Sequence, residues 1–192
     1  MRRPLRIAQI GHPILRQPTR MLTREELLSE EIQSFLDDLV ETMREASGAG
    51  LAANQVYQSL RICAVEVRDN SRYPYRPNIP LTILVNPILT PASDETFVNY
   101  EGCLSVPNLR GQVRRYCEVH VEALDREGNS ISTVVKGMTA ATYQHEVDHL
   151  DGRIFLDRVE DPNSVVTLEN FQRYCMDKVA ADVEALVKRY GS

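Results

Sequence analysis

The chain has 192 residues, 43% of them apolar and 26% charged, with a formal net charge of −5, the composition of one soluble domain with a real core. No apolar run approaches membrane-spanning length, no Lys/Arg block offers a footprint for DNA, and the opening MRRPLRIAQIGHP lacks the apolar stretch of a secretory signal. The four cysteines, Cys63, Cys103, Cys117 and Cys175, form no CxxC pair and read as reduced thiols, so a cytoplasmic location is expected.

In chain order, Thr23 to Glu26 spells the T-x-x-E of a capping box, and Ile32, Phe35, Leu36, Leu39, Val40 and Met43 then recur at helical spacing. One helix is predicted there, ending near Ser47-Gly48. A strand follows at Arg61–Val67. The stretch Asp69–Pro80 is a loop, because its three prolines remove donors and fix φ. Leu81–Asn86 reads as a second strand, with Pro87 and Pro91 ending that region. Gln112–Leu124 alternates strictly as a strand, and Glu127-Gly128-Asn129 turns the chain into Ser130–Lys136. Thr139 is placed to cap a helix running to about Leu150, and Asp161-Pro162 opens a long terminal helix to about Tyr190. This order predicts an α+β fold, with antiparallel and mixed sheets packed around a central helix and with a C-terminal helix. A catalytic domain is expected over 1–160, with the 161–192 helix packed on it.

The central helix carries QHEVDHLDGRIF, from Gln144 to Phe155. His145 and His149 are one turn apart, so both imidazoles point the same way, as two ligands of a borderline cation such as Zn2+ or Fe2+ would. Glu146 lies about 100° round the helix from His145, where it reaches a water on the cation without being a ligand. Met138, Ala141 and Thr142 lie on the same face, one and two turns earlier. They are apolar or small, so the His pair is expected to point into a pocket. The longer pattern H-E-x-x-H-x-x-G-x-x-H would need a third histidine at 155, where this chain has Phe155.

A third ligand must therefore come from elsewhere. Cys63 shares a strand face with Val65 and Val67, and Cys117 shares one with Val119, Val121 and Ala123. Cys175 falls on the terminal apolar stripe with Leu168, Phe171, Val179 and Leu186. All three read as small buried hydrophobes. His120 faces away from that core beside Glu118 and Glu122 and reads as solvated. Cys103, in NYEGCLSVPN, belongs to no periodic face, and the preceding Gly102 lets the backbone approach a ligand. Its thiolate can be a third ligand at neutral pH. The rival is Glu169, 20 residues after His149, which sits one step off the apolar stripe. Spacing alone leaves it open.

Gly48 to Gln55 reads GAGLAANQ. It matches a G-x-G-x-x-A dinucleotide fingerprint but follows a helix rather than a strand, and it lacks the lysine of a P-loop. An alternative role is to pair with an extended peptide and present Gln55 as a hydrogen-bond donor.

Three segments in order, GAGLAANQ, EGCLS and HEVDH, together with GHPILR near the start, resemble the peptide deformylase family over roughly residues 5 to 158. The resemblance implies removal of the formyl group from N-formylmethionyl peptides. It makes Cys103, His145 and His149 the ligands of one divalent ion, typically Fe2+ with Zn2+ or Ni2+ as substitutes. Glu146 becomes the general base and acid, and the Leu104 N–H and the Gln55 side chain become the oxyanion donors. Gly50 contacts the peptide backbone, and Arg110 matches an arginine near the substrate cleft. Met138, Ala141 and Thr142, sharing the face of His145, line the methionine pocket. Asn54 stands where the family often has Pro or Thr. Some bacterial members dock a basic C-terminal helix on the ribosome. Here Ser164 to Ser192 carries four Lys/Arg and four Asp/Glu, so a transient ribosome contact gains no support from charge. The competing readings are a metallopeptidase using Glu169, a non-catalytic reader of formylated N-termini or a domain that uses the metal only structurally, and a deformylase of a small metabolite.

Overall fold

The computed structural model describes residues 4–68 and 76–192. Most of the expected 69–80 loop therefore lies outside the described residues. The Thr23 capping box forms, with its side chain accepting from the Glu26 N–H, but the helix it opens lasts one turn, α1 (Arg24–Leu27). Ser29 then takes an extended conformation and caps a second helix, α2 (Glu30–Glu45), through its hydroxyl. A second N-cap inside the apolar period splits the single predicted helix, because Ser competes for the backbone donors that continuation would need.

Five strands make the larger sheet: β1 (Gly50–Ala52), β2 (Ile62–Val67), β3 (Ile79–Pro91), β6 (Glu118–Leu124) and β7 (Ser130–Lys136), in the order β1-β2-β3-β6-β7. A smaller sheet joins β4 (Thr96–Cys103), β5 (Val106–Tyr116) and β8 (Val166–Thr167). Every pairing within these sheets is antiparallel, so the expected mixed character is absent among the described strands. The predicted strand Leu81–Asn86 runs on past Pro87 to Pro91. Asn86 absorbs a register shift at φ 55°, its side-chain amide bonding both backbone groups of Leu22. The alternating run Gln112–Leu124 is two strands in different sheets. The chain breaks at Cys117, whose N–H leaves to the Glu95 carbonyl. Alternation continues across the break, so periodicity alone could not reveal it.

Side-chain alternation on β2 explains the layers. Ile62 and Ala64 face α2, packing with Leu36, Leu39 and Met43. Cys63 and Val65 face the opposite way, onto Ala140, Tyr143 and Leu150 of the helix α3 (Gly137–Leu150). That helix touches both sheets, reaching β1, β2, β3, β5, β6 and β7. Its first turn is not capped by Thr139 in the expected way. It starts at Gly137, and the Met138 and Thr139 N–H groups donate to the carbonyl and hydroxyl oxygens of Ser192 at 3.1 and 3.2 Å. The predicted terminal helix is also broken. Pro162–Ser164 is a 3-10 turn, β8 pairs with β5, and two helices follow, α4 (Leu168–Tyr174) and α5 (Met176–Tyr190), with Cys175 at their junction.

Candidate active site

Three pieces of chain converge on one cleft. The first is the turn from α2 into β1. Ser47 takes a left-handed conformation at φ 52°, and the Gly48 N–H closes on the Met43 carbonyl. A Cβ at Gly48 would press on Leu104, and a Cβ at Gly50 would overlap the Glu146 carboxyl group. The glycines thus let β1 run against two groups of the cleft. A 3-10 turn at Ala53–Val56 follows, so the segment lacks the strand–turn–helix geometry of a dinucleotide site. Gln55 is buried there, with its Oε1 accepting from the Ala52 N–H at 2.9 Å. That bond fixes the amide orientation and aims Nε2 at Ser105 Oγ (3.0 Å) and Cys103 Sγ (3.4 Å).

The second piece is the β4–β5 turn. Cys103 pairs with Val106 across it, and the Ser105 N–H donates to Cys103 Sγ at 3.3 Å. The third is α3. Cys103 Sγ lies 3.1 Å from His149 Nε2, and one ligand atom from each of Cys103, His145 and His149 lies within 4.8 Å of the others. Glu101 Oε2 bonds His145 Nδ1 at 2.8 Å, which leaves Nε2 for a cation. Glu146 is buried, and its Oε2 has no partner among the described residues. The cavity between these groups is about 30 Å3, room for about one water molecule.

Charge is arranged to match. Burial alone would raise the Cys103 thiol, but His149 and His145 outweigh it and hold the thiol well below the usual range. Burial opposes a charged His145, yet Cys103 and Glu101 push its pKa well up. Burial pushes Glu146 up to about 7, against the lowering influence of the two imidazoles. Glu101 itself, against burial, is held low by Arg115 and by His145. Arg115 is 3% exposed and donates to Glu101 (2.7 and 2.9 Å) and to Asp148 (2.6 Å), while Arg158 donates to Asp148 from the other side. This network escaped the sequence reading. Its signals were present: an arginine between Val113 and Cys117 on an apolar strand face, and acids inside EGC and HEVDH.

Gly50, Gln55, Leu104, Ala141, Thr142 and Glu146 line the cleft together with Cys103 and His145. The other two expected residues are buried next to this lining. Met138 is fully buried on the His145 face of α3, two turns earlier, where it packs with Phe171, Val179 and Val183 of the terminal helices. Arg110 is 1% exposed behind Gly102, where a Cβ would collide with its guanidinium. Glu169 is exposed and outside the cysteine–histidine group, so the metallopeptidase ligand set does not assemble.

A soft sulfur and two imidazoles around one point, with a buried carboxyl group alongside, fit a single borderline cation and hydrolytic chemistry. The family model for polypeptide deformylase matches residues 4–165. Peptide deformylase 2 of Nostoc sp. is 42% identical over 168 residues, covering 88% of this chain and 93% of that one. Among solved structures, a class I type b peptide deformylase from Acinetobacter baumannii with Met-Ala-Ser bound superposes with a TM-score of 0.79 at 40% identity, covering 83% of this chain and 100% of that one. A peptide deformylase from Synechococcus elongatus in complex with actinonin covers 98% of this chain and 86% of that one, with a TM-score of 0.73 and 27% identity. The chain belongs to the polypeptide deformylase family, which is metal-dependent. It is an enzyme that removes the N-formyl group from the N-terminal formylmethionine of nascent polypeptides and releases formate.

Proposed function

We propose that Cys103, His145 and His149 hold the cation, with Fe2+ first and Zn2+ or Ni2+ as substitutes, and that Glu146 carries the proton in deformylation. The observation behind this reading is the convergence of the three ligand atoms beside a buried carboxyl group whose pKa is pushed up to about 7. A cation bound there would supply Lewis acidity and a water of lowered pKa. Near neutral pH Glu146 can accept a proton from the attacking water and return it to the leaving amine. Gln55 Nε2, aimed by the Ala52 bond, and the Leu104 N–H are the donors for the carbonyl oxygen as it gains charge, each contributing about 3 kcal/mol.

In this reading Gly50 offers backbone to an extended peptide, Ala141 and Thr142 form the wall met by the methionine side chain, and Arg110 supports the cleft through Gly102. The Met-Ala-Ser bound to the Acinetobacter relative favours a peptide that begins with methionine. The reaction is placed in the cytoplasm, where nascent chains emerge and thiols stay reduced. A transient ribosome contact would have to rest on something other than charge, since the terminal helices are neutral overall.

Formate release from formyl-Met-Ala-Ser tests the assignment. Glu146→Gln is expected to lose about 100-fold or more in turnover while keeping its cation. Full turnover with the cation retained would remove Glu146 from the mechanism.

A further inference from the structure

The two histidines are held differently. His145 has its ring oriented by Glu101 at Nδ1. His149 Nδ1 is buried without a partner among the described residues, so no side chain there fixes its ring. What is held instead is its backbone: the Asn54 amide donates Nδ2–H to the His149 carbonyl at 2.5 Å, across 95 residues of sequence. That carbonyl lies in the last turn of α3, where helix oxygens lack intrahelical partners, and it also accepts from the Gly152 N–H at 3.0 Å. Asn54 is fully buried, and its Oδ1 has no partner among the described residues. An apolar side chain of similar size would avoid that cost.

Asn54 also stands directly before Gln55, whose Nε2 lies 3.4 Å from Cys103 Sγ. One side chain therefore ties the turn presenting the amide donor to the end of the helix presenting His149. We propose that Asn54 is a positioning residue. It sets the spacing between the Gln55 donor and the His149 imidazole, substituting for the carboxylate partner that His149 lacks. This rests on the roles proposed above for Gln55 and His149.

The experiment is a double-mutant cycle on the full chain with Asn54→Leu, Gln55→Leu and both together. It reads Co2+ affinity from the thiolate–cobalt absorption of stripped protein, kcat and KM for formyl-Met-Ala-Ser, and Tm. Asn54→Leu is expected to weaken Co2+ binding by about 10–100-fold. It is also expected to lower kcat by about tenfold with KM within about twofold, and to lower it less when Gln55 is already Leu. Asn54→Asp keeps the shape but loses the donor, so it carries the test if the leucine variant does not fold, and it is expected to lose cobalt affinity likewise. Parent-like cobalt affinity and kcat in either folded variant, even with a lower Tm, overturns the proposal. A Gln55→Leu enzyme with parent turnover would instead overturn the oxyanion role on which it rests.

Discussion

At the scale of single residues, the cleft depends on what is missing from its side chains. Gly50 brings the β1 backbone against Glu146 where any Cβ would overlap the carboxyl group. Gly50→Ala must therefore push Glu146 off its position or move β1 away from α3. Turnover is expected to fall by about 100-fold, the usual cost of a displacement near 1 Å at a reacting centre, with a much smaller change in Tm. Steady-state rates beside a thermal melt check this, and an alanine variant of unchanged rate would show that the close approach has no catalytic use. Cys103 is a similar case of a side chain defined by its neighbours. Burial would favour the thiol, and the adjacent imidazoles reverse that preference.

At the scale of elements, β4, β5 and α3 are joined through charge. Arg115 on β5 binds Glu101 on β4 and Asp148 on α3, and Glu101 in turn orients His145. Removing the arginine leaves buried Glu101 without its main partner and Asp148 with Arg158 alone. Arg115→Met is expected to cost about 3–5 kcal/mol, measurable by urea unfolding. Glu101 and Asp148 both have folded pKa values below their ordinary ones. Their contribution is thus fully present above the unfolded carboxylate range of about 4 and is lost as pH falls through the folded values. The parent's unfolding free energy is expected to drop on acidification below about pH 4, and Arg115→Met to show a shallower drop. Parallel pH profiles would mean that the network does not carry the acid sensitivity.

At the scale of the whole molecule, the terminal helices are tied back to the catalytic helix. The family match ends at residue 165, and the Acinetobacter structure covers 83% of this chain. Beyond residue 165, α5 packs Val179 and Val183 on Met138, and Ser192 caps the first turn of α3. Gly137 sits at φ 54° with a would-be Cβ overlapping the Ser192 carbonyl. Gly137→Ala must break that cap, at an expected cost of about 1–3 kcal/mol. That corresponds to a loss of roughly 2–12 °C in Tm. An unchanged Tm would mean that the cap adds nothing to stability.

Local chemistry was enough to read the α+β class, α2 and α3, and the grouping of His145, Glu146 and His149 on one turn; Cys103, which no periodic face claimed, in fact packs in an apolar cluster with Val106, Val113, Ile154 and Phe155. Periodicity and capping act over a few residues, and so does the geometry of a helix turn. Tertiary structure decided what depends on contacts between distant segments. It split the alternating run at Cys117 between two sheets and packed Met138 against α5. It placed Arg110 behind Gly102 and brought Arg115, Glu101 and Asp148 together as a buried network. Asn54 marks the boundary: a variable residue in a one-dimensional motif, it became a donor to His149 only when the chain closed across 95 positions. Alternation records which face of an element is buried, and it carries no record of the partner that buries it.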